Sequence, residues 1–511
     1  MQIFVEKKST LLSNNLRNSM NKKIVVIGSG FSGLSAAAAL ANMGYQVDVY
    51  EKNATPGGRA RNFKEAGLTF DMGPTWYWLP DVFEEYFERF NKKVSEMYQL
   101  VRLDPSYRVY FGPGDFIDVP AGMDAIYRLF EEREPGSSKR LKKFMEDARY
   151  KYQLGMKKLV YKPSLSYFEF LEPWLLRGIV HGDFLRSVSK VVRKNFRNMR
   201  LVRILEFPVI FLGATPWKTP SLYTLMNFAD MGMGTWYPMG GMYSVVEAMV
   251  RMAEEQGAVF HYNAPVERIL SRNGKAYGVR INGDIIEADL ILSTADYHHT
   301  ESELLDTEER SYSEKYWDTR KMAPSALLYY IGLDKPVQGL LHHNLFFDED
   351  FDRHADEIYK TPQWPEKPAI YVSCSSKTDP AVAPEGYENL IVLIPVAPGL
   401  KDTEEIKQKY YELTLKRIEK LTGESLSGHV VYKRMYAHSD FSSDYHSFKG
   451  NAYGLANTLD QTAIFRPSLR SRKLKNLFYA GQLTVPGPGV PPSIISGYVA
   501  SGQIDSYFKS L

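Results

Sequence analysis

Residues 23–51 read KIVVIGSGFSGLSAAAALANMGYQVDVYE, and this stretch decides the fold. Lys23 to Ile27 is a short β-branched run, the composition of a parallel strand buried on both faces. Gly28-Ser29-Gly30-Phe31-Ser32-Gly33 follows at once, and Leu34 to Leu40 is alanine-rich, a strong helix former. Gln46 to Tyr50 reads as a second strand and ends at an acid, Glu51, 18 residues beyond Gly33. Strand, G-x-G-x-x-G turn, helix, strand and acid is the order of a dinucleotide-binding unit. Gly28 allows the tight turn, Gly30 lets backbone approach a pyrophosphate, and Gly33 lets helix and strand pack closely. The helix N-terminus offers free N–H groups and a partial positive charge to the phosphates. Glu51 can accept hydrogen bonds from ribose hydroxyls. The fingerprint fits NAD and FAD alike.

Lys52 to Arg61 reads KNATPGGRAR. Paired glycines, Gly57 and Gly58, again admit a ligand close to backbone, and Arg59 carries a planar fork of donors suited to phosphate. The competing reading is an ordinary glycine-rich turn with a solvated arginine.

Residues 25–60, followed by Asp71-Met72-Gly73-Pro74-Thr75, resemble the FAD-binding start of the carotenoid desaturases, within the wider amine-oxidase-like flavoproteins. More closely, the stretch resembles the start of the bacterial phytoene desaturases. WYPMGG at 236–241 resembles that family's turn before a helix, and Ala264-Pro265-Val266 resembles the strand reaching the adenine end. Thr378-Asp379-Pro380, with the LIVLIPVAP run after it, resembles another family stretch. GNAYGLANTLDQTAIFRP at 450–467 and NLFYAGQLTVPGPGVPPSIISG at 476–497 resemble the closing signature that returns to the flavin. The resemblance spans roughly 20–505. It implies FAD as cofactor, held by Gly28, Ser29, Gly30, Phe31, Ser32, Gly33, Glu51, Lys52, Gly58, Arg59, Pro74, Thr75, Val266, Gly481, Gln482, Gly489 and Val490. Two positions depart from the family. Gln482 stands where many relatives have an acid or a small residue, and Val485 where many have His.

The closing segment has a physical reading of its own. Gly487 and Gly489, spaced by Pro486 and Pro488, make an extended backbone with few side chains, able to lie flat against a ring system. Pro491-Pro492-Ser493 then opens a helix whose N-terminus can face an electron-rich carbonyl end.

The fold class expected is α/β: a Rossmann-type FAD-binding domain with an inserted substrate domain of mixed sheet and membrane-facing helices. Its FAD-binding part is written in three pieces, 20–90, 236–300 and 450–511, behind a flexible tail at 1–19, with Met20 a candidate start. The pieces 91–235 and 301–449 form the inserted domain. Strands are expected at 107–111, 258–262, 276–281, 285–293, 325–332, 369–374 and 389–396, and a helix from Tyr243 to Gln256.

Composition narrows the function classes. The chain has 511 residues, 44% hydrophobic and 24% charged, with average glycine and proline, so it carries a globular core. Its single cysteine, Cys374, excludes an internal disulfide and a cysteine-based zinc site, and reads as a cytoplasmic framework. A net charge of +3 gives no case for nucleic acid. Residues 151–200 nevertheless hold eleven Lys and Arg against three Asp and Glu, leaving the rest of the chain net negative. That segment mixes its charge with Tyr161, Phe168, Phe170, Trp174, Leu175, Leu176, Phe184 and Phe196, a pattern for docking at an anionic lipid surface or for a solvated helix over core aromatics. No apolar run is long enough to span a bilayer.

The resemblance implies removal of hydrogen from a carbon–carbon link flanked by double bonds, with hydride leaving to the flavin and a proton lost from the neighbouring carbon. The cofactor carries the hard step, and the protein supplies orientation and an apolar tunnel, the use expected for 13% aromatic residues. No catalytic base is assigned. All ten histidines are read as structural or surface; His298-His299 and His342-His343 are adjacent pairs without metal-site spacing. The implied partners are phytoene or a related carotenoid, a membrane lipid surface, and a quinone or oxygen as electron acceptor, with a peripheral membrane location. A 3,4-desaturase, a carotenoid isomerase and a retinol saturase are rivals on the same fold. A prenyl-lipid escort protein without flavin is the non-enzyme rival.

Overall fold

The structure is a computed structural model, and it describes residues 22–170 and 186–511. The tail expected at 1–19, Met20, and Trp174, Leu175, Leu176 and Phe184 lie outside the described residues.

Five strands form a fully parallel sheet: β1 (Lys23–Ile27), β2 (Gln46–Tyr50), β3 (Val259–His261), β4 (Leu290–Ser293) and β5 (Leu477–Tyr479), in the order β5-β4-β1-β2-β3. Ile24, Val25 and Val26 are fully buried, as a central strand covered on both faces requires. One face carries three helices, α1 (Phe31–Asn42), α2 (Met242–Glu255) and α3 (Val490–Lys509), whose apolar residues join β1, β2 and β4 in one core. The alanines of α1 permit this crowding. So do its glycines: a Cβ on Gly33 would lie 2.1 Å from the Gly28 carbonyl oxygen, and one on Gly497 of α3 would lie 2.1 Å from that of Ser32.

The single strand expected at 285–293 is two strands. Asp284–Glu287 closes an antiparallel three-stranded meander, and β4 joins the parallel sheet. Between them Asp289 accepts from the Lys23 N–H and the Lys22 ammonium, each at 2.9 Å, and this turns the chain from one sheet to the other.

A seven-stranded sheet, largely antiparallel, runs in the order 430–436, 325–333, 388–396, 370–373, 343–346, 107–112 and 115–119. The strands at 115–119, 343–346 and 430–436 were not foreseen in the sequence; the last alternates half-buried and exposed residues at the sheet edge. Helix Glu404–Thr422 covers one face through Tyr410, Tyr411, Leu415 and Ile418. Toward the 107–119 end, the opposite face is covered by a helical layer that includes Met123–Arg133, Ser137–Leu154 and Met199–Glu206. Register places Leu328, Leu393, Tyr371, Leu345 and Val109 in one row across this face.

The basic segment is partly consumed internally. Lys151 is buried and paired with Asp147 at 2.6 Å, Arg193 reaches the buried Glu206 at 2.9 Å, and Arg200 meets Asp115 at 2.5 Å. Phe196 is core. Beside them Leu165, Tyr167 and Phe168 are exposed, Phe168 at 82%, and Tyr167 meets the exposed Phe465 edge-on. Among the described residues no helix is long and apolar enough to cross a membrane.

Candidate cofactor site

A cavity opens at the carboxyl ends of β1 and β2, where a doubly wound sheet binds ligands. Gly28, Gly30, Phe31 and Ser32 form its first wall, with Glu51, Lys52, Gly58 and Arg59 beside them. Pro74 and Val266 border it, and Gly481, Gln482, Gly489 and Val490 close it from the C-terminal segment. These residues are up to 462 positions apart in sequence. Ser29, Gly33 and Thr75 do not line the cavity. Ser29 donates its N–H at 3.0 Å and its hydroxyl at 2.8 Å to Glu51 Oε2. Gly33 packs under Gly28, and the Thr75 hydroxyl is bonded to Tyr371.

Glu51 is buried and held from two sides. Oε2 takes the Ser29 donors, and Oε1 accepts from the Asn53 N–H at 2.9 Å and side-chain amide at 2.8 Å. These four donors fill the four lone-pair sites of the carboxylate, so a ribose hydroxyl would bind Glu51 by displacing a rotatable side-chain donor, the Ser29 hydroxyl or the Asn53 amide. Gly57 N–H donates to the Ser29 carbonyl at 2.9 Å, which brings the two glycine turns face to face. Gly57 has φ of +108° and Gly58 of +55°, both in the left-handed region where glycine is favoured.

Three helices begin near this cavity, and their N-termini differ. At α2 the carboxylate of Asp71 receives the Met242 and Tyr243 N–H groups at 2.9 and 3.3 Å. At α1 and α3 the capping residues are Gly30 and Gly489, with no side-chain cap and no acid in the first turn. Two uncapped, positively polarised helix ends therefore border one cavity that also holds a fixed carboxylate. That donor set fits a dinucleotide: phosphate at α1, ribose at Glu51, and an electron-rich ring edge at α3. The floor is apolar, with Ala326, Leu328 and Leu393 of the seven-stranded sheet facing the cavity.

Arg59 is not a solvated arginine. Its Nη2 donates to the Ser447 hydroxyl and, at 3.3 Å, to the Asn451 carbonyl, and its guanidinium lies 5.2 Å from the Tyr445 ring. With its amide oxygen turned toward Arg59, Gln482 accepts from Nη2 at 2.9 Å and Nη1 at 3.3 Å. This gives the departure at Gln482 a reason: a neutral acceptor suffices, because Asp296 already faces the guanidinium and opposes the lowering of its pKa by burial. Val485, the other departure, is buried in an apolar cluster with Leu79, Val82 and Ile495.

Two of the ten histidines read as structural or surface border the cavity. His299 and His446 line the cavity, stacked with ring centroids 3.9 Å apart. Burial pushes His299 down to about 3, with His446 and Lys52 adding to the shift, so the pair is neutral near pH 7. Lys52 Nζ donates to the Ser443 carbonyl at 2.7 Å and lies 3.1 Å from His446 Nε2. Asp444, Tyr445 and His446 thus form a wall that the sequence motifs did not announce. The adjacent basic and aromatic residues at 444–449 were the available signal, but nothing local tied them to the cavity.

The chain matches the family described as flavin containing amine oxidoreductase over residues 31–505. It is 40% identical to a carotenoid 3,4-desaturase of Haloarcula japonica, covering 93% of this chain and 96% of that protein. It is 33% identical to a zeta-carotene-forming phytoene desaturase of Myxococcus xanthus (95% and 94% covered) and 31% identical to a 4,4'-diapophytoene desaturase of Staphylococcus haemolyticus (94% and 97%). Among solved structures, cyclohexylamine oxidase from Brevibacterium oxydans has the same fold, with a TM-score of 0.58 at 15% identity over 96% of this chain and 99% of that one. The uncapped helix ends, the fixed Glu51 and these matches agree: the chain belongs to the flavin containing amine oxidoreductase family, in the company of its carotenoid desaturases, and its cofactor is FAD.

Proposed function

We propose that this protein is an FAD-dependent carotenoid desaturase that places new double bonds in a linear polyene. The carrying observation is a cavity with a polar dinucleotide half and an apolar half floored by Ala326, Leu328 and Leu393, on a chain 31–40% identical to three proteins named carotenoid desaturases. Bound flavin supplies a hydride acceptor. The chain's own residues do the rest. Glu51 orients the ribose, the N-termini of α1 and α3 receive the negative ends of the cofactor, and Arg59 ties the wall at 445–451 over it. Sheet and helical layer exclude water from the reacting carbons.

Phytoene is the substrate the reading assigns first. The higher identity to a 3,4-desaturase favours a second assignment, a later carotenoid of the same series. The polyene comes from a lipid phase, which supports a docking surface at the exposed Leu165, Tyr167, Phe168 and Phe465 beside the basic segment, and a quinone or oxygen as final acceptor. The test is purified protein with FAD in liposomes carrying phytoene or a hydroxylated C40 polyene, with products separated by chromatography. New conjugated products are expected from at least one. Unchanged polyenes with fully bound flavin would refute the desaturase assignment.

A further inference from the structure

Tyr453 stands where the two halves of the cavity meet. It lines the cavity together with Gln482 and with Leu328 and Leu393 of the floor. Its backbone is pinned on the cofactor side. With the Gln482 amide oxygen turned toward Arg59, the amide nitrogen donates to the Tyr453 carbonyl at 3.2 Å. The next carbonyl, that of Gly454, accepts from the Ala323 N–H at 2.7 Å. Gly454 has φ of +111°, and a Cβ there would lie 2.9 Å from the Gln482 carbonyl oxygen, so the turn that sets Tyr453 in place requires glycine. The phenol lies on the other side. Burial raises the pKa of Tyr371 and of Tyr359, and the nearby Tyr453 phenol raises both further. Tyr371 is the cross-strand partner of Leu393. The ring of Tyr453 therefore spans from Gln482 to the apolar floor.

The other charged and aromatic groups of the cavity are engaged at the dinucleotide half. Glu51 is held by Ser29 and Asn53, Asp296 by the His298 and His299 N–H groups, and Asp444 by Arg61. Tyr50 is stacked on His261 with centroids 4.5 Å apart, and the ring of Tyr445 lies 5.2 Å from the Arg59 guanidinium and 5.3 Å from that of Arg61. The floor beside Tyr453 is made of Ala326, Leu328 and Leu393, which carry no charge. A positive charge formed over that floor meets no carboxylate there. An aromatic face attracts a cation through its quadrupole and, unlike a carboxylate, does not close on it covalently.

We propose that Tyr453 is a catalytic residue of the desaturation: the face of its ring stabilises the positive charge that the polyene carries once hydride has left. This rests on the desaturase reading above. Hydride leaves one carbon with its electron pair, for the flavin. The charge left behind is discharged when the neighbouring C–H bond gives its electron pair to the new π bond, and the proton ends on solvent water. Tyr453 itself neither gains nor loses a proton. Burial raises the pKa of its phenol, so the side chain is neutral throughout and acts through the ring.

Two measurements test this. The first is the rate of flavin reduction in single turnovers of FAD-loaded protein with a polyene. Tyr453→Leu should slow it by roughly 30-fold or more, the range for losing a desolvated cation–π contact. Tyr453→Phe keeps a ring face and should stay within about threefold of wild type. One, three or five ring fluorines on Tyr453→Phe weaken the quadrupole while nearly keeping size and packing, and the rate should fall with each step. Equal rates along the fluorine series would overturn the proposal. So would loss of FAD affinity in Tyr453→Leu, because it would place the ring against the cofactor. The second measurement needs no turnover. A long-chain alkyltrimethylammonium should bind the FAD-loaded protein less tightly as fluorines are added, while the neutral alcohol of equal chain length binds unchanged. Parallel losses for both would mean packing alone and overturn the proposal. A wild type that converts no polyene would instead refute the desaturase reading, and the proposal would fall with it.

Discussion

The carboxylate of Asp71 accepts a hydrogen bond of 2.9 Å from the backbone N–H of Met242, and so joins the strand before Gly73-Pro74 to the first turn of α2. Two motifs 171 residues apart in sequence meet at this bond. Gly241 makes room for it. Its φ is +87°, and a Cβ there would lie 2.6 Å from Asp71 Oδ2.

Asp71 should set part of the pH dependence of stability. Burial raises its pKa from 3.8 to about 7, against the lowering effect of the Met242 and Tyr243 N–H groups. The folded chain thus binds this proton more tightly than the unfolded chain. The contribution is fully present below about pH 4 and is lost as pH rises to about 7. Asp71→Asn keeps an acceptor but cannot ionise. Thermal melts from pH 4 to 8 should show wild type losing stability relative to the variant up to about pH 7, then running parallel. Parallel curves throughout would contradict the assignment.

Gly497 is the point where α3 crosses α1. A methyl group at Gly497 would sit 2.1 Å from the Ser32 carbonyl oxygen, and backbone cannot yield as a side chain can. Gly497→Ala should cost about 3 kcal/mol or more, above the usual cost of an added methylene. It should also weaken FAD binding, because Ser32 lines the cavity. A melt and flavin content equal to wild type would show that the helices can part freely.

Arg59 holds Ser447 and Asn451 and, with the Gln482 amide oxygen turned toward it, Gln482 as well, which a lysine ammonium cannot reproduce in a planar fork. Arg59→Lys should weaken FAD binding by roughly tenfold or more, about 1.4 kcal/mol for each tenfold. Titration of flavin-free protein, followed by flavin fluorescence, reads this directly. Equal affinity would remove Arg59 from the account of cofactor retention.

The exposed patch is testable apart from catalysis. Tyr167→Glu with Phe168→Glu places two acids where apolar rings now face solvent. Flotation with anionic liposomes should show most of the bound fraction lost, with flavin content kept. Unchanged flotation would move the docking surface elsewhere.

The dinucleotide unit was legible because its chemistry is local. Gly28, Gly30, Gly33 and Glu51 lie within one strand-helix-strand segment, and each glycine answers a constraint set by its near neighbours. The closing segment was legible for a similar reason, since an extended glycine-proline run before a helix limits its own backbone. The strands at 325–333 and 388–396 were foreseen from continuous apolar runs, whereas the half-exposed edge strand at 430–436 carries no such run.

What the sequence alone determined, then, is the nucleotide fold, its cofactor class and the residues that shape each glycine turn. Only the tertiary structure decided which residues share a wall. Lys52, His299 and His446 meet because helix His438–Tyr445 is laid across the cavity. Thr75, Tyr371 and His343 meet because sheet register puts Tyr371 and Leu345 side by side in one row. The physical reason is common to both. Backbone geometry is set by neighbours a few residues away, but contacts between side chains hundreds of residues apart depend on register and packing, which no short stretch of sequence contains.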